Sequence, residues 1–261
     1  MPASPLPPDR SVRAAVVWDA LQSILAGGAC DVLDVGGGTG GFAVPVAAQG
    51  DPTQGHPTQD HPTQKHRVTV VDPSPDALAS LQRRAREVGV DVRAVQGDAA
   101  GLLEVVGAGS ADLVLCHGVL EHVDDVAPAL AALAAVLRPG GMLSLLAAHR
   151  NAVVVARGVA GRFAEARHAL TDPAGRWGPG DPLPRRFTES GLRELLTEAG
   201  LQVREVHGVR VVADLVPGAL VDAEPGAADE LLALERLIAD LPEFRAVATQ
   251  LHVLAARPEQ G

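Results

Sequence analysis

From Arg13 onward, short apolar runs alternate with stretches in which apolar residues recur every three or four positions. RAAVVWDALQSIL has this helical spacing, so one face of that helix is expected to be buried. CDVLDV is a short apolar run that leads into GGGTGG and reads as a strand feeding a turn. A helix is expected from Phe42 to Gln49. RVTVVD predicts the second strand, and PSPDALASLQRRAREVG a helix with a Ser-Pro-Asp start and a glycine stop. VDVRAVQGD and ADLVLCHG predict strands three and four. APALAALAAVLRPGG predicts a helix closed by Pro-Gly-Gly, and MLSLLAA the fifth strand. Strands alternating with helices imply a parallel sheet covered on both faces.

The end of the chain reads differently. TESGLRELLTEAG predicts a helix opened by a threonine cap, and LQVREVHGVRVV a strand in which Gly208 is a candidate break. DELLALERLIADL predicts another helix, and QLHVLAARP a closing strand that can enter the sheet antiparallel beside the sixth. The expected organisation is a frayed tail over 1–9 and one domain over 10–261.

Composition fits this reading. Apolar residues make up 47% and charged residues 21% of the 261 residues, as in a globular domain able to bury its own core. Two cysteines, Cys30 and Cys116, do not make a disulfide framework, so a cytoplasmic home is expected. MPASPLPPDR lacks the basic-then-apolar pattern of a signal peptide, and no apolar run is long enough to span a membrane.

The net charge of −10 argues against general coating of nucleic acid. Its distribution is uneven. His149 to Phe187 holds seven arginines against three acids, an excess of four positive charges that leaves the remainder at −14. Half of the six aromatic residues fall there as Phe163, Trp177 and Phe187.

One stretch interrupts the pattern. In GDPTQGHPTQDHPTQKHR, residues 50–67, Pro-Thr-Gln occurs three times, and His56, His61 and His66 share its five-residue spacing. With prolines between the histidines there is no rigid frame for a metal, and no metal site is expected. The stretch reads instead as a low-complexity loop insertion over 51–66.

Chemistry concentrates at the strand ends. Asp34-Val-Gly-Gly-Gly-Thr-Gly40 joins the first strand to a helix, where glycines let the backbone approach a ligand and helix-end amides point at it. The spacing Gly36-x-Gly38-x-x-Gly41 also fits a dinucleotide fingerprint. Three features favour S-adenosylmethionine over a nicotinamide. Asp34 lies inside the strand end, where a carboxylate can hold the loop and meet an ammonium. Asp72 ends the second strand, where it can accept from ribose hydroxyls or cap the next helix. Gln96-Gly97-Asp98-Ala99 places a further acid at the end of the third strand. Asp72 lies 36 residues beyond Gly36, against about 20 in dinucleotide folds, and removing the 51–66 insertion restores that interval.

LDVGGGTG, VVDPS, QGDA, DLVLCHGVLEHVDD and LRPGG together resemble class I S-adenosylmethionine-dependent methyltransferases over roughly residues 30–147. RAAVVWDAL, HGVLEHV, VAGRF, HGVRVV and LLALERLIADLPEF…LHVLAARP extend the likeness to the bacterial tRNA carboxymethoxyuridine methyltransferases. That resemblance implies an α/β Rossmann-like sheet of seven mostly parallel strands in the order 3-2-1-4-5-7-6, the last strand antiparallel. It implies S-adenosyl-L-methionine held by Arg13, Asp34, Gly36, Gly37, Gly38, Gly40, Asp72, Pro73, Asp98, Ala99 and His117. The chain departs from the family after the fifth strand, where Ala147-Ala148-His149 replaces aromatic and asparagine residues. RWGPGDPLPRR replaces a lysine-rich stretch, and Lys65 is the only lysine.

Methyl transfer from a sulfonium is an in-line displacement, and positioning alone supplies ~7–11 kcal/mol of barrier lowering. A carboxylate acceptor is already ionised at neutral pH, so it needs a cationic clamp and no base. An amine or phenol would call for a base such as His117, Glu121 or His122. The stretch 149–187 follows the fifth strand, at the ligand-binding edge of such sheets, and is expected to cap the site. Its Arg150, Arg157, Arg162, Arg185 and Arg186 are the candidate substrate ligands, and Arg210 and His117 the candidate positioning residues. The expected substrates are the wobble carboxymethoxyuridine of tRNA or an anionic metabolite.

Overall fold

The structure, a computed structural model, describes residues 11, 12, 14–49 and 66–259. Arg13, the amino-terminal tail and the repeat with His56 and His61 lie outside the described residues. His66, the last histidine of the repeat, is buried, and its Nδ1 accepts the backbone N–H of Cys30 at 3.2 Å. It belongs to the packed approach to the second strand.

The elements follow the order α1 (Ala15–Leu25), β1 (Asp31–Val35), α2 (Ala43–Ala48), β2 (Arg67–Asp72), α3 (Pro75–Val88) and β3 (Val92–Gln96). Then come α4 (Leu102–Val106), β4 (Ala111–His117), α5 (Val126–Val136), β5 (Leu137–Ala148), α6 (Arg150–Val159) and α7 (Phe163–Thr171). The last group is α8 (Glu189–Glu198), β6 (Gln202–Val209), α9 (Gly218–Ala223), α10 (Ala227–Ile238), α11 (Pro242–Arg245) and β7 (Gln250–Ala256). All seven strands form one sheet in the order β3-β2-β1-β4-β5-β7-β6. The pairs among β1 to β5 are parallel, while β7 runs antiparallel to both β5 and β6.

Alternation along β4 explains the two cores. Val114 and Cys116 face one layer, packed with Leu130 and Leu133 of α5 and Leu192 and Leu196 of α8. Leu113 and Leu115 face the other, with Trp18 and Leu21 of α1, Val44 of α2 and Leu81 of α3. A strand buried on both faces must be apolar throughout, which is why its sequence shows no alternation.

Local signals account for several boundaries. The Ser74 side chain accepts from the Ala77 N–H and caps α3, Gly89 ends it in the left-handed region at φ 79°, and Thr188 caps α8 through the Gly191 N–H. Other boundaries differ from the sequence pattern. β5 begins at Leu137, so Arg138-Pro139-Gly140-Gly141 lies in the strand. Leu137 pairs with Ala111 across a bulge, and Arg257 donates to the carbonyls of Ala134, Ala135 and Leu137, satisfying the end of α5. β6 passes through Gly208 without a break. The helices α4, α9 and α11 are short, with 5, 6 and 4 residues, and leave little periodic signal. Among the described residues no helix is long and apolar enough to cross a membrane.

Candidate functional site

Two clefts adjoin at the carboxyl edge of the sheet. The first, about 530 Å³, is lined by Gly36, Asp72, Pro73, Asp98, Ala99 and Val119 among others, at the ends of β1 to β4. The second, about 360 Å³, lies beyond β5 and β7 and is lined by Glu121, His149, Arg186 and Arg210 among others. Gly118 and His122 line both.

The loop after β1 is held from below. The Gly36 N–H donates to the Val71 carbonyl at 2.7 Å, and Gly36, Gly38 and Gly40 all have positive φ. A Cβ on Gly36 would stand 2.4 Å from Val119 Cγ2, and one on Gly40 2.3 Å from Leu81 Cδ1. At Gly38 nothing lies within 4 Å, so the loop is packed on its inner side and open above. Asp72 binds this loop to the next turn. One carboxylate oxygen accepts the Gly38 N–H and the other the Ser74 N–H, both at 2.9 Å. The α3 cap is therefore Ser74, leaving Asp72 as a brace at the cleft wall. Asp98 sits similarly, its Oδ1 accepting from Ala100 and Gly101 at the start of α4.

Asp34 is buried beneath the glycines and accepts from the Ala43 N–H. Burial, reinforced by the charge of Asp72, pushes its carboxyl up to about 7. Gly37 lies directly against it, since a Cβ there would fall 2.5 Å from Asp34 Oδ2. His117 ends β4 on the α1–α2 side and does not line either cleft. Its ring meets Phe42 edge-on at 4.7 Å, and its Nε2 lies 2.9 Å from Ser144 Oγ. Its Nδ1 is buried without a partner among the described residues, and burial lowers the ring to about 4. A packed glycine cradle, an open Gly38 and two aspartates at strand ends fit an adenosyl ligand.

The cap leaves and rejoins the body at one point. The Phe187 N–H donates to Ala148 and the Arg150 N–H to Phe187, both at 2.9 Å, with His149 and Phe187 bridged in parallel. Within the cap most arginines are engaged with its own groups. Arg186 forms a bidentate pair with the buried Asp181 at 2.6 and 2.9 Å and still lines the second cleft. Arg157 stacks on Trp177 at 3.9 Å and pairs with Glu165 at 2.9 Å, and Arg162 lies 3.6 Å from the same carboxylate. Arg150 donates to the Pro173 carbonyl, and Arg185 to the Asp124 carbonyl at 3.2 Å. Arg150, Arg157, Arg162 and Arg185 do not line the cleft.

Arg210 does line it, at the turn after β6, with φ 57° in the left-handed region. The turn is imposed by Glu235 of α10, fully buried, whose carboxylate accepts the N–H groups of Val211, Val212 and Ala213 at 2.8–2.9 Å. Arg210 reaches Asp214 at 3.3 Å, and its Nε is buried without a partner among the described residues. The same cleft is lined by Glu121, which is 2% exposed. Its Oε1 accepts the Ala148 N–H at 2.6 Å, while Oε2 is buried without a partner among the described residues. The Glu235 brace has no signal in the sequence, because its partners are backbone amides more than 20 residues upstream.

Comparison with known proteins agrees with this architecture. The model described as "Methyltransferase domain" matches residues 33–143. The chain is similar to the tRNA 5-carboxymethoxyuridine methyltransferase of Escherichia coli (strain K12), at 29% identity over 256 residues, covering 95% of this chain and 89% of that protein. It is also similar to a ubiquinone biosynthesis O-methyltransferase of Rhizobium leguminosarum, at 31% identity over 68% of this chain and 61% of that protein. A solved S-adenosylmethionine dependent methyltransferase from Mesorhizobium loti shares the fold, with a TM-score of 0.57 and 20% identity over 95% of this chain and all of that one. Its sheet order is that of the class I methyltransferase fold, residues 33–143 match a methyltransferase domain, and over nearly its whole length the chain resembles the bacterial tRNA carboxymethoxyuridine enzymes.

Proposed function

We propose that the protein methylates a carboxylate to a methyl ester, and that the carboxylate is the one borne by the wobble carboxymethoxyuridine of tRNA. The observation that carries this reading is the 29% identity to the tRNA 5-carboxymethoxyuridine methyltransferase, which runs through the cap and the last strands as well as the cofactor core. The second cleft supports it, with Arg186 and Arg210 beside the first cleft.

S-adenosylmethionine, when bound, supplies an electrophilic methyl on a sulfonium. Asp72 and Pro73 would take the ribose side, Asp98 and Ala99 the adenine side, and Gly36, Gly37, Gly38 and Gly40 would leave room for the body of the ligand. Asp34 and His117 would meet the methionine end, together with Arg13. The acceptor carboxylate would lie in the second cleft with its charge held by Arg210 and Arg186. A carboxylate oxygen carries no proton at neutral pH, so accepting that methyl would release none and would require no base. Among the cap arginines Arg186 would contact substrate, while Arg150, Arg157, Arg162 and Arg185 would keep the cap in shape.

The test is incubation with labelled S-adenosylmethionine and tRNA carrying carboxymethoxyuridine, followed by mild alkali. Alkali-labile label on the tRNA is expected, and label resistant to alkali would rule out an ester. A second reading is favoured by the modest 360 Å³ of the second cleft, which suits a small molecule. On that reading an anionic metabolite is the acceptor, and tRNA stays unlabelled while a carboxylate metabolite takes the label.

A further inference from the structure

Four polar side chains cross the sheet in one line. His117 on β4, Ser144 on β5, His252 on β7 and His207 on β6 belong to strands that are neighbours in that order. His117 Nε2 lies 2.9 Å from Ser144 Oγ, and the same Oγ lies 2.8 Å from His252 Nε2. His252 Nδ1 lies 3.1 Å from His207 Nδ1, with the two rings stacked at 5.2 Å. Ser144 and His252 are fully buried among leucines and valines. The outer end is His207 Nε2, facing Glu205 at 3.4 Å and Asp240 at 3.5 Å. The inner end is Nδ1 of His117, which has no partner among the described residues.

Hydrogen counting fixes the direction of this line. A neutral imidazole has one N–H and one lone pair, so a proton placed at one end dictates every bond along the chain. Two carboxylates face His207 Nε2, so that nitrogen carries the hydrogen and Nδ1 of His207 accepts. His252 must then donate from Nδ1 and accept at Nε2. Ser144 donates to His252 and accepts from His117 Nε2. His117 is left with a bare lone pair on Nδ1.

Adding one proton reverses every bond. A proton taken up at His117 Nδ1 releases the Nε2 hydrogen to Ser144, which passes its own hydrogen to His252 Nε2. His252 in turn yields its Nδ1 hydrogen to His207, which becomes an imidazolium between Glu205 and Asp240. The two states differ by a single proton, with no other atom gained or lost.

We propose that Ser144, His252 and His207 are positioning residues that fix the tautomer of His117 and pass a proton between its Nδ1 and the protein surface. In the neutral chain His117 offers an acceptor, suited to a donor such as an ammonium. In the protonated chain it offers a donor. Carboxylates stand only at the His207 end of the line, and the added charge is placed there, while burial lowers the rings of His117, to about 4, and of His252. Around His207 stand Glu205 on its own strand, His252 on β7, Asp240 after α10, Arg236 on α10 and Asp19 on α1. Arg236 and Asp19 are paired at 2.6 Å, and Arg245 of α11 bonds the neighbouring Val206 carbonyl. The carboxylates nearest Nε2 therefore set the polarity. The geometry is independent of which ligand meets His117.

The test uses the intact protein labelled with ¹⁵N at histidine and followed from pH 8 to 5.5 by long-range ¹H–¹⁵N correlation, with His117→Gln and His207→Gln used to assign signals. At pH 8, His117 is expected to carry hydrogen on Nε2 alone. As His207 gains its second proton, the His117 and His252 patterns should invert with the same midpoint. In Ser144→Ala, His207 should still titrate while His117 no longer follows. Hydrogen on His117 Nδ1 at pH 8, or a His117 pattern unchanged through the His207 titration, would overturn the relay. These two observations are made on the wild-type protein, so the result stands even where Ser144→Ala does not fold.

Discussion

Gly36 and Val119 approach so closely that a Cβ on the glycine would lie 2.4 Å from Cγ2 of the valine. The contact joins the loop after β1 to the turn after β4, so both walls of the first cleft are set by one packing event. Gly36 also has φ 69°, which costs any L side chain about 1–2 kcal/mol, and overpacking adds about 1–3 kcal/mol. Gly36→Ala is expected to weaken S-adenosylmethionine binding at least tenfold by calorimetry. Adding Val119→Ala should recover part of the loss. Affinity of the single variant within twofold of wild type would show that the loop has room to move.

Asp34 makes stability depend on pH. The folded carboxyl holds its proton up to about 7, whereas an ordinary aspartate loses it near 3.8, so the native state binds more protons between those values. Stability from this group is therefore greatest at low pH and falls as the pH rises through the folded value. Asp34→Asn should be favoured over wild type at pH 8, and the difference in Tm should shrink toward pH 5. A pH-independent difference would mean that Asp34 is charged throughout.

Glu235 holds the turn that presents Arg210. Removing its carboxylate strands the buried N–H groups of Val211, Val212 and Ala213. Glu235→Ala is expected to cost about 3 kcal/mol of stability in urea unfolding. It should also raise the substrate KM more than it changes cofactor affinity. Equal loss of both would point to global damage.

Arg210 and Arg162 separate clamp from scaffold. Arg210 lines the second cleft, whereas Arg162 is 57% exposed and 3.6 Å from Glu165. Arg210→Gln should raise the KM for the anionic substrate about tenfold, equivalent to about 1.4 kcal/mol, with cofactor affinity unchanged. Arg162→Gln should stay within twofold. Steady-state kinetics with both variants decides, and equal effects would return the clamp to the cap as a whole.

Glu121 offers a finer test of substrate chemistry. Its side chain lines the second cleft, and its Oε2 is an acceptor without a partner among the described residues. Glu121→Gln keeps an oxygen for the Ala148 N–H and turns the other position into a donor. A substrate that places an N–H there should lose about tenfold in kcat/KM, about 1.4 kcal/mol. No change would show that Glu121 only holds Ala148.

The apolar runs, the glycine turns and the acids at the strand ends were legible in the sequence because each is a local event. Strand periodicity, a glycine where φ must be positive, and Ser74 or Thr188 before a helix are all written within a few residues. The interval between Gly36 and Asp72 points to an insertion ahead of the second strand, at residues outside those the structure describes. The charge excess of 149–187 was legible too, but not its use. Asp181 and Glu165 face Arg186, Arg157 and Arg162 only after the cap folds, and the cleft is left with Arg186 and Arg210. The brace at Glu235 and the line from His117 to His207 have no sequence signature either, since their members lie in separate elements. The sequence by itself determined the seven strands and the helices α1, α2, α3, α5, α8 and α10, and which fold and cofactor those segments imply. Tertiary structure decided which polar atoms find partners and which remain open to a ligand, because pairing depends on distances across strands that sequence spacing does not encode.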